Sequence, residues 1–322
     1  MTVVVRRAVG AAAATALLCT GAVACGSDSD KAGDSSGTQS HTQVTQALTA
    51  AYKRTAGAKS AKVEMTMKMP ASAMGASAGD GTIRTTGTMG WDPTVMDMTM
   101  SGSAFTAGGE DAPKNIRMLW QDNVMYMDMG ASAAKEMDGK RWMKMDLGAI
   151  AKQSGDEKAM RQMTGSLDSM NQDPAQQIAM LLDSPNLKHL GSATLGGVQT
   201  EHYKGTLTVD EMLAKNDSLK VLSKSERSQL LKNVKKAGIK DYDTELWVND
   251  DDLPVRLDVT MDSPQGATKI SEKFSDYGAA VKVDVPPAGQ TFDLMDMLKK
   301  IGAAAGAGAG ADASDSGPDS SV

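Results

Sequence analysis

The sequence predicts an α+β domain: a curved antiparallel β-sheet, a half-barrel, with helices packed on its concave face. Apolar and polar residues alternate with a period of two in run after run, as in "MTMKM" (65–69), "MDMTM" (96–100) and "MYMDM" (125–129). Helical spacing is confined to the first folded segment and the middle of the chain, with strand-like runs between and after. Turn signals join successive runs directly, so neighbouring strands run antiparallel. Meandering strands with helices grouped apart from them define the class, and an antiparallel sheet requires cover on one face only.

Taken in order, "TQVTQALTAAYKRTA" places Val44, Leu48, Tyr52 and Thr55 on one helical face. Val63, Met65, Met67 and Met69 then alternate with Glu64, Thr66 and Lys68. In "GTIRTTGTMGW" the shared face is Ile83, Met89 and Trp91; in the next run it is Met96, Met98 and Met100, with Asp97 and Thr99 opposite. The segment "IRMLWQDNVMYMDM" reads as a hairpin about Asp122-Asn123, since both residues tolerate positive φ. That turn sets Trp120 opposite Met125, Met118 opposite Met127 and Ile116 opposite Met129. On the other side it sets Leu119 opposite Tyr126, and Arg117 opposite Asp128. A slip of one residue would undo the sorting of the two faces. A turn at Asp138 to Lys140 leads to Met143, Met145 and Leu147, which continue the apolar row.

Asp173 and Pro174 read as an N-cap and first-turn proline, followed by Ile178, Leu181 and Leu182 on one side. Thr208/Glu211 and Ser223/Glu226 have capping-box spacing. "GVQTEHYKGTLTV" lies between these helices as a hairpin arm. The closing strands are "YDTELWVND", "LPVRLDVTM", "ATKISEKFSDYG" and "VKVDVPP", with Asp250 to Leu253 as a loop.

The 322 residues are 41% hydrophobic and 23% charged, enough for a large core. The formal charge of −6 and the absence of a basic run argue against nucleic acid as a partner. Aromatic residues make up only 4%, so the 24 methionines carry much of the apolar volume. Arg6 and Arg7 precede a small-residue apolar stretch, Ala8 to Ala24, and together they read as a secretory signal. It ends "GAVAC", which resembles a bacterial lipobox although Ala22 stands where that motif prefers Leu. The lipobox implies diacylglycerol on Cys25 and cleavage before it; Cys19, followed by more of the apolar run, suits the motif less. Loss of Arg6 and Arg7 takes the charge from −6 to −6 − 2 = −8. The expected organisation is a signal over 1–24, a lipidated cysteine and tether over 25–41, one domain over 42–301, and a Gly/Ala/Ser/Asp tail over 302–322.

Several phrases resemble a known family. "LKHLGSATLGGVQTEHYKGTL" (187–207), "LWVNDDDLPVRLDV" (246–259) and "VKVDVPPAG" (281–289), together with the lipobox and the order of elements, resemble the LppX/LprG lipoproteins of actinobacteria, which share the LolA/LolB-type half-barrel. The resemblance implies a hydrophobic cavity between sheet and helices for acyl chains of a lipid or glycolipid. It also implies anchorage to the outer face of the cytoplasmic membrane through Cys25.

Three readings of the methionine rows remain open. Alternate residues of a strand lie ~7 Å apart on one face, and neighbouring strands about 4.8 Å away, so adjacent rows tile one surface with thioethers. That surface is a core sealed by helices, or an adaptable cavity whose unbranched side chains repack around acyl chains, or a Cu(I) site of soft ligands. The cavity reading assigns Met65, Met67, Met69, Met96, Met98 and Met100, then Ile116, Met118 and Trp120, then Met125, Met127 and Met129, and finally Met143, Met145 and Leu147. Catalytic signatures are missing: there is no His-Glu-x-x-His, no Gly-x-Ser-x-Gly and no phosphate loop. The sequence therefore points to a binding protein with no cofactor and no catalytic residue. An unidentified envelope protein is the alternative partner, through the polar sheet face or the helices after Glu211.

Overall fold

Asp122 and Asn123, with φ of 52° and 62°, form the tight turn that fixes the register of the sheet's first half. In the computed structural model, which describes residues 39–70, 72, 81–106, 113–149, 173–215 and 224–297, the flanking strands pair as Met118↔Met127, Leu119↔Tyr126 and Trp120↔Met125. The hairpin belongs to a meander of β1 (Ser60–Lys68), β2 (Thr82–Trp91), β3 (Thr94–Gly102), β4 (Asn115–Gln121), β5 (Val124–Asp128) and β6 (Trp142–Asp146). A second meander contains β7 (Lys188–Leu195), β8 (Val198–Thr208), β9 (Asp241–Asn249), β10 (Pro254–Ser263) and β11 (Gly266–Ser275). Pairing of β1 with β11 joins the two, and the short β12 (Thr291–Asp293) is added at the edge beside β6. The strand order is β12-β6-β5-β4-β3-β2-β1-β11-β10-β9-β8-β7, a curved sheet that does not close. All pairs are antiparallel except β12 with β6.

Two helices cover the concave face. In α1 (His41–Ala58), Ser40 and Gln43 form a reciprocal capping box, and Val44, Leu48, Ala51 and Thr55 are buried. Tyr52, expected on that face, is 39% exposed, and Ala51 takes its place. The 3.6-residue period reaches the sheet at Ala51, where a small side chain lets helix and strands approach. In α4 (Pro174–Leu182), the Asp173 carboxylate accepts the Ala175 N–H at 2.8 Å and Pro174 opens the first turn. This helix lies directly on β8: a Cβ added to Gly205 would come 2.7 Å from Leu181 Cδ1 and Ser184 Oγ. The core unites Val44 and Leu48 of α1, Ile178 and Leu181 of α4, and Met89, Met96, Met98, Met118, Leu246, Leu257 and Phe274 of the sheet.

The remaining helices are α2 (Ser103–Thr106), α3 (Gly130–Glu136), α5 (Val209–Lys215) and α6 (Lys224–Lys236). The capping box at Thr208 and Glu211 is present, with Thr208 N–H donating to Glu211 Oε2 at 2.9 Å. Ser223 of the other expected box lies outside the described residues, as do Cys25, nearly all of the tether and the tail.

Two further expectations change. "VKVDVPP" forms no strand. Its valines alternate correctly, but β11, the strand just before it, is already paired on both sides by β1 and β10, so the segment has no free edge beside its predecessor to join. The segment instead crosses the outer face, with Val281 beside Gly90 and Asp284 close enough to raise the Arg117 pKa, and β12 follows. Arg117 also pairs differently. It donates from Nε and Nη2 to Asp97 at 2.9 and 2.6 Å, while Asp128 accepts from Arg141 Nε at 2.5 Å. Asp97 lies on β3, the other neighbour of β4, and its carboxylate meets the guanidinium fork two-to-two, a geometry stronger than a single contact.

Candidate ligand-binding face of the sheet

Residues paired directly across antiparallel strands share a face, so the register places the methionines without further assumption. Met145, Met125, Trp120, Met96, Met89 and Ala61 make one row across the sheet. Phe292, Met143, Met127, Met118, Met98, Gly87 and Val63 make the next. In the third, Ile116, Met100, Thr85, Met65, Glu272 and Leu257 follow one another. Ile83, Met67, Ile270 and Val259 make the fourth. Met69 and Met129 fall just beyond their strands, so Met129 does not pair with Ile116; Met69 donates its N–H to Gly81 O at 3.1 Å. Leu147 follows β6 and is buried.

This face is shared unequally. Met96, Met98 and Met118 are 7%, 6% and 8% exposed and belong to the core cluster with α1 and α4. Met98 passes over Gly87, where an added Cβ would meet its Sδ at 2.9 Å. These three pack within the core cluster. Met65, Met67, Met69, Met100, Met125, Met127, Met129, Met143 and Met145, with Ile116 and Trp120, are only half-buried. Helix burial thus accounts for one part of the methionine surface; in the rest, Trp120 and Met125 pack against the core and every side chain keeps some exposure.

Polar atoms punctuate this surface. Thr85 Oγ1 and Trp120 Nε1 are buried without a hydrogen-bond partner among the described residues. Two strands from Thr85, Glu272 is 7% exposed and accepts a 3.3 Å hydrogen bond from Gln177 Nε2 of α4. Burial holds its carboxyl above the ordinary range, and the Gln177 bond only partly offsets that. Asp173 is raised by burial as well, and Tyr277, which feels both acids, is held neutral; its hydroxyl donates to Pro254 O at 2.9 Å.

Two of the three histidines lie in the second meander, and His41 opens α1. His189 is buried at the end of the third row, beside Tyr203 and 2.5 Å from Glu201. His202 faces outward, stacked on Trp247 at 4.1 Å and bonded to Glu245 at 3.0 Å. Burial lowers its pKa, with Glu245 acting in opposition. Among the described residues, no group of three or more His, Cys, Asp or Glu is arranged to hold a metal, and no helix is long and apolar enough to cross a membrane. Asp250 to Asp252 are exposed, and the turn there is organised by Asn249 Oδ1, which accepts from Asp251 N and Leu253 N.

A curved, unclosed antiparallel sheet with helices on an apolar concave face is the class to which this fold belongs. No family model matches the chain. It is similar to an uncharacterized 31.2 kDa protein of Streptomyces griseus, 29% identical over 271 residues and covering 81% of this chain and 82% of that one. It is also similar to a Streptomyces coelicolor protein named as a lipoprotein, 24% identical over 266 residues, with 80% and 77% covered. Among solved structures, the lipoprotein LppX of Mycobacterium tuberculosis is 12% identical, with a TM-score of 0.44 over 76% of this chain and 100% of its own. LprF of Mycobacterium bovis is 16% identical, with a TM-score of 0.45 over 78% and 100%.

Proposed function

We propose that this protein is an exported lipoprotein, anchored to the outer face of the cytoplasmic membrane through Cys25, that binds and shuttles acyl chains of a lipid or glycolipid in a methionine-lined cavity. The observation that carries this reading is the half-buried part of the methionine face, which continues the core but is not consumed by it. The lipobox-like "GAVAC" and the Streptomyces coelicolor relative named as a lipoprotein support the anchorage. Each methylene withdrawn from water contributes about 0.8 kcal/mol, so ten of them offset the ordering of a chain with several kcal/mol remaining. Thioethers suit the task because they are unbranched and adapt to an irregular guest. The work is uptake and release, without bond chemistry.

Titration of the full-length protein with a fatty acid carrying an environment-sensitive fluorophore tests this. Saturable enhancement, reversed by unlabelled long-chain fatty acid and not by a short-chain one, is expected. Enhancement that never saturates, or that no acyl competitor reverses, would refute the cavity.

A further inference from the structure

Opposite the methionines, the central strands turn a different chemistry outward. Arg84 on β2, Lys62 and Lys68 on β1, and Lys269 and Lys273 on β11 share the outer face with one acid, Glu64. Across β1 and β11, Lys68 and Lys269 are directly opposed, and both are exposed. Like charges opposed across a strand pair destabilise it. Neither ammonium has a hydrogen bond or ion pair among the described residues.

These two lysines sit in a trough of about 470 Å³ that also contains Thr66, Ser271, Thr260, Lys204, Arg256, Asp243, Glu245 and Asp258. Its other cations are committed: Lys204 Nζ lies 3.0 Å from Glu245 Oε1, and Arg256 Nη2 lies 2.6 Å from Asp258 Oδ2. Asp243 accepts the Thr206 hydroxyl at 2.6 Å and stands on β9, two strands away from Lys269. Thr66 and Ser271 are directly opposed beside the free lysines and offer hydroxyl donors. Free ammonium groups and hydroxyls thus stand at one end, Asp258 with its partner Arg256 lies directly opposite Ser271, and Asp243 and Glu245 stand at the far end.

We propose that this trough binds a phosphorylated polyol, such as glycerol phosphate or a sugar phosphate. The phosphate oxygens lie between Lys68 and Lys269 and accept from the Thr66 and Ser271 hydroxyls. Lysine binds phosphate as a point charge, and two phosphate charges relieve the repulsion between the opposed lysines. The polyol hydroxyls donate to the carboxylates of Asp243 and Glu245 on β9, two strands from Lys269, which inorganic phosphate held between the lysines is too short to reach. The volume falls in the range of small-ligand sites. The same chemistry is presented by a soluble metabolite or by a phospholipid headgroup. The site lies across the sheet from the methionine face and does not depend on that face holding an acyl chain.

Calorimetric titration of the full-length protein with glycerol phosphate, inorganic phosphate and glycerol tests the assignment. Glycerol phosphate should bind more tightly than phosphate, and glycerol should not bind. Lys68→Gln/Lys269→Gln should weaken glycerol phosphate at least tenfold and flatten its salt dependence. Lys62→Gln/Lys273→Gln, on the same face outside the trough, should leave affinity within twofold. Absence of glycerol phosphate binding, or equal loss in both double variants, overturns the proposal, the latter because it reports a diffuse field. A parallel titration with dihexanoyl phosphatidylglycerol below its micellar concentration separates the sources. Tighter, Lys68/Lys269-dependent binding of the lipid assigns the headgroup, and equal binding assigns the soluble ester. Thermal melts of both double variants verify that each is folded.

Discussion

Replacing Met127 by Asp separates ligand binding from folding, because Met127 is half-buried whereas Met98, two strands away in the same row, is 6% exposed and part of the helix-covered core. Truncation of a buried Met costs about 2–5 kcal/mol through lost contacts and the cavity left behind. Met98→Ala is therefore expected to lower the melting temperature strongly, and Met98→Asp to prevent folding. At Met127, which keeps some exposure, roughly half of that cost is at stake, about 1–2.5 kcal/mol. An acyl chain lying along the row loses contact there with about four methylenes, near 3 kcal/mol, or about 100-fold in Kd. Circular-dichroism melts beside displacement of the fluorescent fatty acid read both effects. A Met127→Asp protein that melts within a few degrees of wild type yet binds with unchanged affinity would refute the placement of the ligand.

Gly205→Ala should destabilise by about 1–3 kcal/mol, because the new methyl meets Leu181 and Ser184 and must push α4 off the sheet; denaturant titration measures it. Glu272 ionises at higher pH in the folded chain than in the unfolded one, so its contribution to stability is fully present below the unfolded carboxyl's pKa and is lost as pH rises through the folded one. Melts across acid to neutral pH should therefore show Glu272→Gln gaining stability over wild type toward neutrality. The buried Asp173 has the same sign and is left in both proteins. Asn123→Val places a β-branched residue at φ 62° and should cost about 1–3 kcal/mol with ligand affinity retained, again by denaturant titration and displacement.

Much of the first meander is legible in the sequence, because its information is local. Asp122-Asn123 fixes both turn and register, and alternation then sends Met118, Met125 and Met127 to one side. The partner of Arg117 is less legible. Either neighbouring strand offers it a carboxylate, and the choice of Asp97 over Asp128 depends on Arg141 claiming the latter. The division of the methionines into buried and half-buried sets is not legible either, since it depends on where α1 and α4 land, and their contacts run through small residues such as Ala51 and Gly205. Val281 to Pro287 shows the opposite failure: a strand pattern is present, but strand formation needs a vacant edge within reach, and β11 just before it is paired on both sides in the finished sheet. The outer trough is invisible for a similar reason. Lys68 and Lys269 become neighbours only through the long-range pairing of β1 with β11.

The most direct test is native mass spectrometry of the full-length protein extracted gently from its membrane, followed by lipid analysis of what it releases. A co-purifying acyl lipid near one per chain, markedly reduced in folded Met127→Asp, is the expected result. A wild-type protein that leaves the membrane intact and folded but carries no lipid beyond its own anchor would contradict the claim that the methionine face holds hydrocarbon.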